Sequence, residues 1–341
     1  MDDMLRGFWY LAVSGARVRR GRTVPATLLG VQLLLGRRDD GSVFAVADLC
    51  PHRGMPLRYG SFDGQTLRCC YHGWAFRSSD GRCTEIPSLG ADDRTDPGRF
   101  HLRTRPCREV QGNIWVYAGD GEPGAVPEVP GFDGAAPQVS TTMRFPCGID
   151  LAASGFFDPG HPAFVHTSRW WKRDPASRLK LKTKQFEPHG MGFRMKRHHL
   201  TDGANPYRLM GRNVHIDIAI ELPGIRIEHI SGDSHSACVL AAATPVGPSE
   251  TDVHYCVYWT PRWLAALRPF AAWMARDFLG QDREVAVRMV GNPSPPPPLF
   301  VGDPDTQIRW YLRLKREYLA AAAEGRAFVN PLRAQTLQWR S

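Results

Sequence analysis

The chain has 341 residues, of which 43% are hydrophobic, and its 43 Lys and Arg residues outnumber its 34 Asp and Glu residues to give a net charge of +9. This length suggests two domains, and this hydrophobic fraction is enough for packed cores, which excludes a globally disordered chain. Residues 1–10 lack the long apolar segment of a signal peptide, and no run of about 18 apolar residues that could span a membrane is present. We therefore expect a soluble cytoplasmic protein.

The positive charge comes mostly from scattered arginines. A nucleic-acid-binding protein would combine a basic stripe with stacking aromatic residues in a known module, and none is visible, so we predict no nucleic-acid partner. A basic face could instead dock an acidic electron-transfer partner, although a solvated arginine-rich surface explains the composition more simply. Examples of the scattered arginines are Arg17, Arg19, Arg20 and Arg22.

The cysteines are even in number, which invites a disulfide interpretation. A disulfide framework is typical of a small secreted chain, and this chain is neither small nor equipped with an export signal. The sequence therefore predicts metal binding together with free buried thiols. The eight cysteines are Cys50, Cys69, Cys70, Cys83, Cys107, Cys147, Cys238 and Cys256.

Short strands are predicted in the first third of the chain. The apolar, β-branched segment 24–35 is followed by a turn over 37–41 and another strand over 42–49. Glycines punctuate further hairpins, and a last strand over 113–118 precedes a loop rich in Gly and Pro over 119–138. This loop is the best candidate for the domain boundary.

The second part of the chain mixes strands with helices and shows no internal repeat. A strand that alternates between apolar and polar residues, as 215–221 does, buries one face and leaves the other wet. A long helix is predicted over 264–290, the proline run 295–298 is interpreted as a spacer, and a final helix is predicted over 308–324. The predicted strands of this antiparallel sheet cover 186–199, 215–222, 225–230, 237–244 and 252–259.

Two pairs of Cys and His stand in the first part. Cys50-Pro51-His52 is followed, after sixteen residues, by Cys69-Cys70-Tyr71-His72. A Rieske centre needs such a set, because two thiolates bind one iron and two imidazoles bind the other. A structural zinc site is the alternative, but zinc fingers favour wider spacings. Cys70 could compete as a ligand; Cys69 keeps two residues before His72 and is preferred.

A second candidate metal site begins with the segment Asp158-Pro159-Gly160-His161-Pro162-Ala163-Phe164-Val165-His166. His161 and His166 are close enough on a turn or an irregular helix to bind one metal. With a carboxylate they would complete the facial triad of non-haem Fe(II) oxygenases, which leaves positions open for dioxygen. Two histidines alone are more often structural.

The predicted helix 264–290 offers the carboxylate. Asp282 falls on a stripe of large apolar residues, where an aspartate is costly unless it is paired or bound to a metal. A buried ion pair, or a helix drawn slightly out of phase, would also explain this position, and Asp277 is the other candidate ligand. The stripe comprises Phe270, Met274, Phe278, Val285 and Met289.

These motifs, in this order, resemble those of the Rieske-type non-haem iron oxygenases, which include ring-hydroxylating and demethylating enzymes. The similarity rests on Phe8-Trp9-Tyr10, on the sequence from Cys50 to Leu57, on Cys70-Tyr-His-Gly-Trp-Ala-Phe76, on Asp-x-x-His-x₄-His at 158–166 and on Gln281-Asp282-Arg283-Glu284. One position departs from the pattern: the family often has Asn six residues before the first histidine ligand, and here Gly155 stands there.

The resemblance implies an α+β fold with an antiparallel-β Rieske [2Fe-2S] domain over 1–122. A catalytic helix-grip domain, an antiparallel sheet plus a long helix, would follow over 123–341. It implies two cofactors, a [2Fe-2S] cluster and a mononuclear Fe(II). The implied cluster ligands are Cys50, His52, Cys69 and His72, and the implied iron ligands are His161, His166 and Asp282.

The resemblance also implies a head-to-tail homotrimer, in which Asp158 joins a cluster histidine, His72, of one subunit to His161 of the next. A helix-capping role is the simpler alternative for Asp158. Electrons would come from NAD(P)H through a separate reductase or ferredoxin. The implied activity is that of a monooxygenase, a hydroxylase or demethylase, using O₂ on a hydrophobic substrate such as a polycyclic aromatic or isoprenoid compound. A pure electron-transfer protein and an iron-dependent desaturase or C–C oxygenase are the rivals.

Overall fold

Short antiparallel strands build the first of two structural units, Arg6–Glu128, in a computed structural model that describes residues 4–168, 179–200, 209–294 and 296–341. Its sheets have the strand orders β1-β11-β10, β2-β3-β4-β9 and β5-β6-β7-β8. The strands are β1 (Phe8–Ser14), β2 (Arg22–Leu28), β3 (Val31–Arg37), β4 (Val43–Ala47), β5 (Ser61–Phe62), β6 (Thr66–Arg68), β7 (Ala75–Arg77), β8 (Cys83–Glu85), β9 (Thr104–Arg105), β10 (Cys107–Val110) and β11 (Asn113–Ala118).

The apolar segment predicted over 24–35 is a hairpin and not one strand. Strands β2 and β3 pair antiparallel around Leu29 and Gly30, whose φ angles are 51° and 77°. Glycine adopts a positive φ at little cost, whereas leucine rarely does so. A turn that contains Leu29 is hard to recognise because no break in hydrophobicity marks it.

An eight-stranded antiparallel sheet dominates the second unit, which comprises Val129–Ser341 and the residues before Arg6. Its strand order is β12-β18-β17-β16-β15-β14-β13-β19 among the described residues. The strands are β12 (Val139–Phe145), β13 (Leu181–His189), β14 (Gly192–His199), β15 (His215–Glu221), β16 (Ile225–Ser231), β17 (Ser236–Gly247), β18 (Glu250–Trp259) and β19 (Gln335–Arg340).

Four α-helices accompany this sheet in the described part of the second unit: α1 (Ile149–Phe157), α2 (Pro162–Val165), α3 (Arg268–Val290) and α4 (Thr306–Ala323). A 3₁₀ segment, Arg262–Leu267, precedes α3. The strands predicted over 215–259 and both long helices are confirmed, as is the α+β class. The predicted strand 186–199 is wrong as one element, because it turns at Gly190 between β13 and β14. The proline run includes residue 295, which lies outside the described residues. No helix in the described ranges is both long and apolar enough to cross a membrane.

The buried side of α3 differs from the predicted stripe. Phe270 and Met289 are half exposed, whereas Ala275, Leu279 and Ala286 are buried against the sheet. The prediction took large apolar residues as markers of the core, but the sheet surface beneath α3 accepts small ones. Asp282 still lies on the buried side, because the buried positions recur every three or four residues through it.

The loop after β11 contains glycines at 119, 121 and 124, the spacing of a dinucleotide-binding G-x-G-x-x-G motif. That motif works only where a parallel strand leads directly into a helix. Here β11 pairs antiparallel with β1 and β10, and no helix follows it before β12. This loop is therefore not a nucleotide site. The two units meet in sequence at 128 and 129, within the predicted boundary loop and six residues after the predicted domain limit at 122.

A buried ion pair fixes α1 to α4. Lys315 is 4% exposed, and its Nζ lies 2.8 and 2.7 Å from the two carboxylate oxygens of Asp150 in the first turn of α1. The Tyr311 hydroxyl donates to the same carboxylate at 3.0 Å. Lysine is almost never buried without a partner, so this contact fixes where α1 starts and where its last residues point.

We predict that Lys315→Met lowers the free energy of unfolding by about 2–3 kcal/mol. Removing one partner of a fully buried ion pair costs about 3–5 kcal/mol because the other charge is left uncompensated. The partial exposure of Asp150 lowers the expected loss to just below that range. Urea titration followed by tryptophan fluorescence measures the change. The control is Arg316→Met on the exposed side of α4, for which a change within about 0.5 kcal/mol is expected. Equal small losses for both variants would contradict the role of this ion pair.

Candidate metal centres

Two loops of the first unit have the same turn. Cys50 and Cys69 each accept, at the backbone carbonyl, a hydrogen bond from the N–H of a glycine four residues later, Gly54 at 2.9 Å and Gly73 at 3.0 Å. The φ angles of these glycines are 72° and 71°. Glycine adopts this left-handed conformation without a Cβ clash. The local sequence thus forms two matching turns, one following β4 and one between β6 and β7.

The thiols of Cys50 and Cys69 lie next to each other and are 2% and 3% exposed. Burial raises the pKa of Cys50 to about 11, and the neighbouring Cys69 contributes to the rise. Cys70 is exposed instead. Two adjacent buried thiols are suited to bind one metal as thiolates, because a cation would offset the unfavourable burial of their charge.

The imidazoles of the two loops form a half-buried pair. The rings of His52 and His72 are 4.7 Å apart between centroids, and Trp74 stacks on His52 at 4.7 Å with an interplanar angle of 8°. Desolvation, followed by the charges of His72 and Arg53, lowers the pKa of His52. A neutral imidazole is the form that binds a metal. The residues present therefore fit a cluster with two thiolate and two imidazole ligands.

Three side chains converge in the second unit. Asp282 Oδ1 lies 3.5 Å from His161 Nε2 and 3.6 Å from His166 Nε2, and their potential ligand atoms all lie within 4.8 Å of one another. Both Nε2 atoms are buried without a hydrogen-bond partner. Buried polar atoms without a partner are costly, and one metal ion would serve all three. The structure thus brings together the three residues predicted from sequence as iron ligands.

The end of α1 orients His161. Its Nδ1 lies 2.9 Å from the backbone carbonyl oxygen of Asp158. A proton on Nδ1 can be donated there, which leaves the lone pair of Nε2 directed at the convergence point. Burial by itself lowers the pKa of His161, but Asp282 and Asp158 outweigh burial, so the pKa is raised overall. Metal binding at this imidazole therefore competes with a proton.

His166 is held in a different way. It is 2% exposed, and its ring stacks on that of Phe278 in α3. The two ring centroids are 3.5 Å apart and the interplanar angle is 22°. Burial lowers its pKa to about 4, so this imidazole is neutral at physiological pH and available as a ligand. Phe278 was assigned to a packing stripe in the sequence. Its contact with His166 depends on the tertiary structure.

Asp277, the alternative ligand, belongs to a hydrogen-bond network beside the site. The Ser168 hydroxyl donates to Asp277, and the Gln281 amide donates both to Ser168 and, at 3.1 Å, to Asp277. Gln281 also accepts from the Thr167 N–H at 2.9 Å. The network ties the segment after His166 to α3. No sequence signal identified Ser168, and the sequence pointed to Gln281 only as a neighbour of Asp282 in the segment that carries the family resemblance.

The side chain of Asp158 closes the turn between α1 and α2. Its Oδ1 accepts hydrogen bonds from Gly160 N at 2.7 Å and His161 N at 3.3 Å. Its Oδ2 lies 3.9 Å from His161 Nδ1, and the side chain is 31% exposed. These contacts support the local turn and not a helix N-terminus, and one carboxylate oxygen lies on the His161 side.

Polar residues face α3 from the sheet. Glu228 of β16 is 9% exposed, pairs across the sheet with Ile218 and Val239, and accepts a hydrogen bond from Arg226 at 2.6 Å. Burial raises the pKa of Tyr255, and the carboxylates of Glu228 and Asp282 add to the rise. The sequence predicted a strand over 225–230 but did not indicate which of its faces is buried, so Glu228 received no role.

Gly155 departs from the family pattern without a steric reason. A Cβ built on this residue of α1 would meet no heavy atom within 4 Å. A longer side chain therefore has room at the residue itself. Crowding around the backbone therefore does not explain why this chain lacks the asparagine that the family often has at this position.

Residues 8–105 match the family model described as "Rieske [2Fe-2S] domain". Among curated proteins, the chain is 37% identical over 167 residues to "Carbazole 1,9a-dioxygenase, terminal oxygenase component CarAa" of Sphingomonas sp, a match that covers 46% of this chain and 42% of that protein. The aligned part thus spans less than half the length of this relative.

Solved structures share the fold over most of the chain. The structure of "Pseudomonas putida CBB5 NdmA with caffeine" superposes with a TM-score of 0.73 at 18% identity and covers 95% of this chain and 94% of that one. Dicamba monooxygenase bound to dicamba superposes with a TM-score of 0.71 at 22% identity, covering 93% and 99%. The second unit, beyond the matched Rieske segment, therefore has the fold found in these proteins.

We predict that Cys70→Ala retains the visible absorption and EPR signals of the cluster, whereas Cys69→Ala abolishes them. The physical reason is that Cys69 lies buried beside Cys50 and Cys70 is exposed. Spectra of the two purified variants, with iron and acid-labile sulfide contents, measure the difference. Loss of the cluster in Cys70→Ala with retention in Cys69→Ala would shift the ligand assignment by one residue.

Proposed function

We propose that this chain, a relative of the Rieske non-haem iron oxygenases that carries a Rieske [2Fe-2S] domain at residues 8–105, is the terminal oxygenase component of a monooxygenase. It would act as a hydroxylase or a demethylase with dioxygen. The observation that carries the proposal is the convergence of His161, His166 and Asp282, with two buried Nε2 atoms that lack partners. A protein that only transfers electrons would not need this second site.

Two imidazoles and one carboxylate would hold a mononuclear Fe(II). This ligand set leaves coordination positions open, and the iron when bound supplies the activation of dioxygen. The protein keeps the site in order: the Asp158 carbonyl fixes the orientation of His161, and Phe278 covers the face of the His166 ring. The network of Gln281 fixes the chain after His166. These contacts keep each Nε2 directed at the same point.

Cys50, Cys69, His52 and His72 would hold the [2Fe-2S] cluster. The buried thiolate side is shielded from water, while the imidazole side is half exposed and would admit electrons. We infer that a separate NAD(P)H-dependent reductase or ferredoxin supplies them, since the name of the carbazole relative describes one component of a larger system. A head-to-tail homotrimer, with Asp158 between His72 of the partner subunit and its own His161, would connect cluster and iron.

The substrate is proposed to be a hydrophobic small molecule, such as a polycyclic aromatic or isoprenoid compound. The sheet presents partly exposed apolar side chains to α3, including Ile218 and Val257. Carbazole, which the CarAa relative is named for, is an aromatic molecule of this kind. The Arg226–Glu228 pair on the same face would offer one polar point of recognition. A cytoplasmic location is also proposed, and the free state of all eight cysteines supports it.

The test of this function is replacement of Asp282. We predict that Asp282→Ala lowers the iron content from about three to about two per chain and stops oxidation of any substrate that the wild type turns over. The cluster spectrum should stay unchanged, because its ligands lie in the other unit. Metal analysis of the reconstituted protein and oxygen consumption measure both effects.

Asp277→Asn is the matched control on the same helix. It keeps the hydrogen-bonding shape beside Ser168, so iron content should be retained. Loss of iron in Asp277→Asn with retention in Asp282→Ala would assign the carboxylate ligand to Asp277. A protein that binds zinc alone and has no colour would overturn the proposed function as a whole.

We predict that Asp158→Asn retains the cluster, the iron and the assembly, while product formation falls by a factor of about 100 or more. The amide keeps the shape but lacks the charge that supports two imidazoles. Mixed assemblies provide the control: chains with His72→Ala are combined with chains with His161→Ala. Activity should return where an intact cluster meets an intact iron site of the partner. Inactive mixtures, with mixed assembly verified by mass, would mean that electrons travel within one chain.

A further inference from the structure

Large apolar side chains are exposed where the 3₁₀ segment leads into α3. Trp263, Leu267, Phe270 and Trp273 are 56%, 46%, 51% and 53% exposed, respectively. Isolated exposed apolar residues are ordinary, but a cluster of them marks a surface that meets an apolar partner. These four residues lie among three exposed arginines, Arg262, Arg268 and Arg276. We call the seven residues together the α3 patch.

The α3 patch points away from the core of its own unit. Phe270 and Trp273 stack with ring centroids 5.7 Å apart and an interplanar angle of 24°. By helical periodicity they lie on the side of α3 opposite Ala275 and Leu279, which are buried. The aromatic pair therefore contributes nothing to the packing of α3 on the sheet.

Positive charge surrounds these apolar side chains. Arg262, Arg268 and Arg276 are exposed, and none of them forms an ion pair with another residue in the described ranges. The sequence 253–276 contains no Asp or Glu. The α3 patch is thus both apolar and cationic, which calls for a partner that is apolar inside and anionic at its surface.

A second exposed apolar pair shows the contrast. Leu299 and Val301 are 85% and 65% exposed. Two carboxylates, Asp303 and Asp305, follow within four residues, and Asp305 accepts a hydrogen bond from the Val301 N–H at 2.5 Å. An anionic surface would repel these carboxylates. This pair therefore serves as a matched control for hydrophobicity without cationic surroundings.

We propose that the α3 patch docks the protein on the surface of a membrane that contains anionic lipids. Tryptophan and phenylalanine insert at the boundary between headgroups and acyl chains, and arginines bind the lipid phosphates. A second copy of the chain in a two-fold contact would bring the same arginines against one another, which disfavours that occupant. The docking is peripheral, with the α3 patch at the boundary between headgroups and acyl chains.

The position of the α3 patch has a consequence for the proposed oxygenase, on which this step rests. Phe270 and Asp282 lie on the same helix, about 18 Å apart along its axis at 1.5 Å per residue. A membrane in contact with the patch would therefore lie within one helix length of the site that we propose binds iron. The substrate class that this favours is a lipophilic compound dissolved in the bilayer.

Vesicle binding of the intact holoprotein tests the proposal. Vesicles of phosphatidylcholine alone are compared with an equimolar mixture of phosphatidylcholine and phosphatidylglycerol, at low and raised salt. We expect co-sedimentation with the mixed vesicles at low salt. The double variant Phe270→Ser/Trp273→Ser should lower the partition coefficient of the protein between vesicles and water by a factor of about ten or more. Arg262→Gln with Arg268→Gln and Arg276→Gln, which alters only exposed side chains, should remove the preference for phosphatidylglycerol and its salt dependence.

Leu299→Ser with Val301→Ser should bind vesicles as the wild type does. The proposal is overturned if the intact protein does not bind the anionic vesicles, or if both patch variants bind as tightly as the control. It is also overturned if light scattering shows that the aromatic variant forms a smaller assembly, because the patch would then be an interface between copies. Binding requires no turnover, so an active enzyme that ignores vesicles and an inactive one that binds them separate this inference from the proposed function.

Discussion

A carboxylate on the buried side of α3 places the strongest physical demand on the second unit. Asp282 shares its surroundings with two imidazole nitrogens that have no hydrogen-bond partner. Each buried polar group without a partner costs about 1–3 kcal/mol, and two of them lie here beside a carboxylate. A divalent metal would bind all three side chains at once and offset this cost. The free energy of metal binding at this site would then be part of the stability of the loaded protein.

Each of the three converging side chains is held by contacts that come from elsewhere in the unit. His161 follows α1, and α1 is anchored by the Lys315–Asp150 ion pair. The segment after His166 is tied to α3 through Gln281. The helix itself is fastened to β12, because Arg283 donates to the Arg144 carbonyl at 2.8 Å. Replacing a group that orients a ligand in this way typically lowers metal affinity by about 10–100-fold.

One helix serves three different surroundings along its length. Small residues such as Ala275 and Ala286 pack on the sheet, Asp282 reaches the two histidines, and Phe270 and Trp273 are exposed to solvent. Such a division is possible because 3.6 residues per turn separate neighbouring positions into distinct faces. The amphipathic pattern of α3 is therefore not the simple contrast of core and water. It combines a core face made of small residues, a polar site and an exposed aromatic face.

The sequence by itself determined the features that depend on local geometry. A glycine four residues after each cysteine makes the turns of Cys50 and Cys69, and the short spacing of His161 and His166 places them at the two ends of the short helix α2. The type and approximate extent of the strands between 215 and 259 also followed from alternation and turn residues, because these patterns are short in range.

Only the tertiary structure decided which face of each element is covered and by what. Periodicity groups residues onto one face of an element but does not say which face the rest of the protein covers. For this reason Glu228 was missed on the face of β16 that meets α3, and Phe270 was wrongly assigned to the core. The different positions of Asp277 and Asp282 have the same origin: Ser168 and Gln281 donate hydrogen bonds to Asp277, whereas Asp282 lies beside the two histidines. Contacts such as Lys315 with Asp150 join residues far apart in the chain. They depend on the packing of whole elements, which no local pattern records.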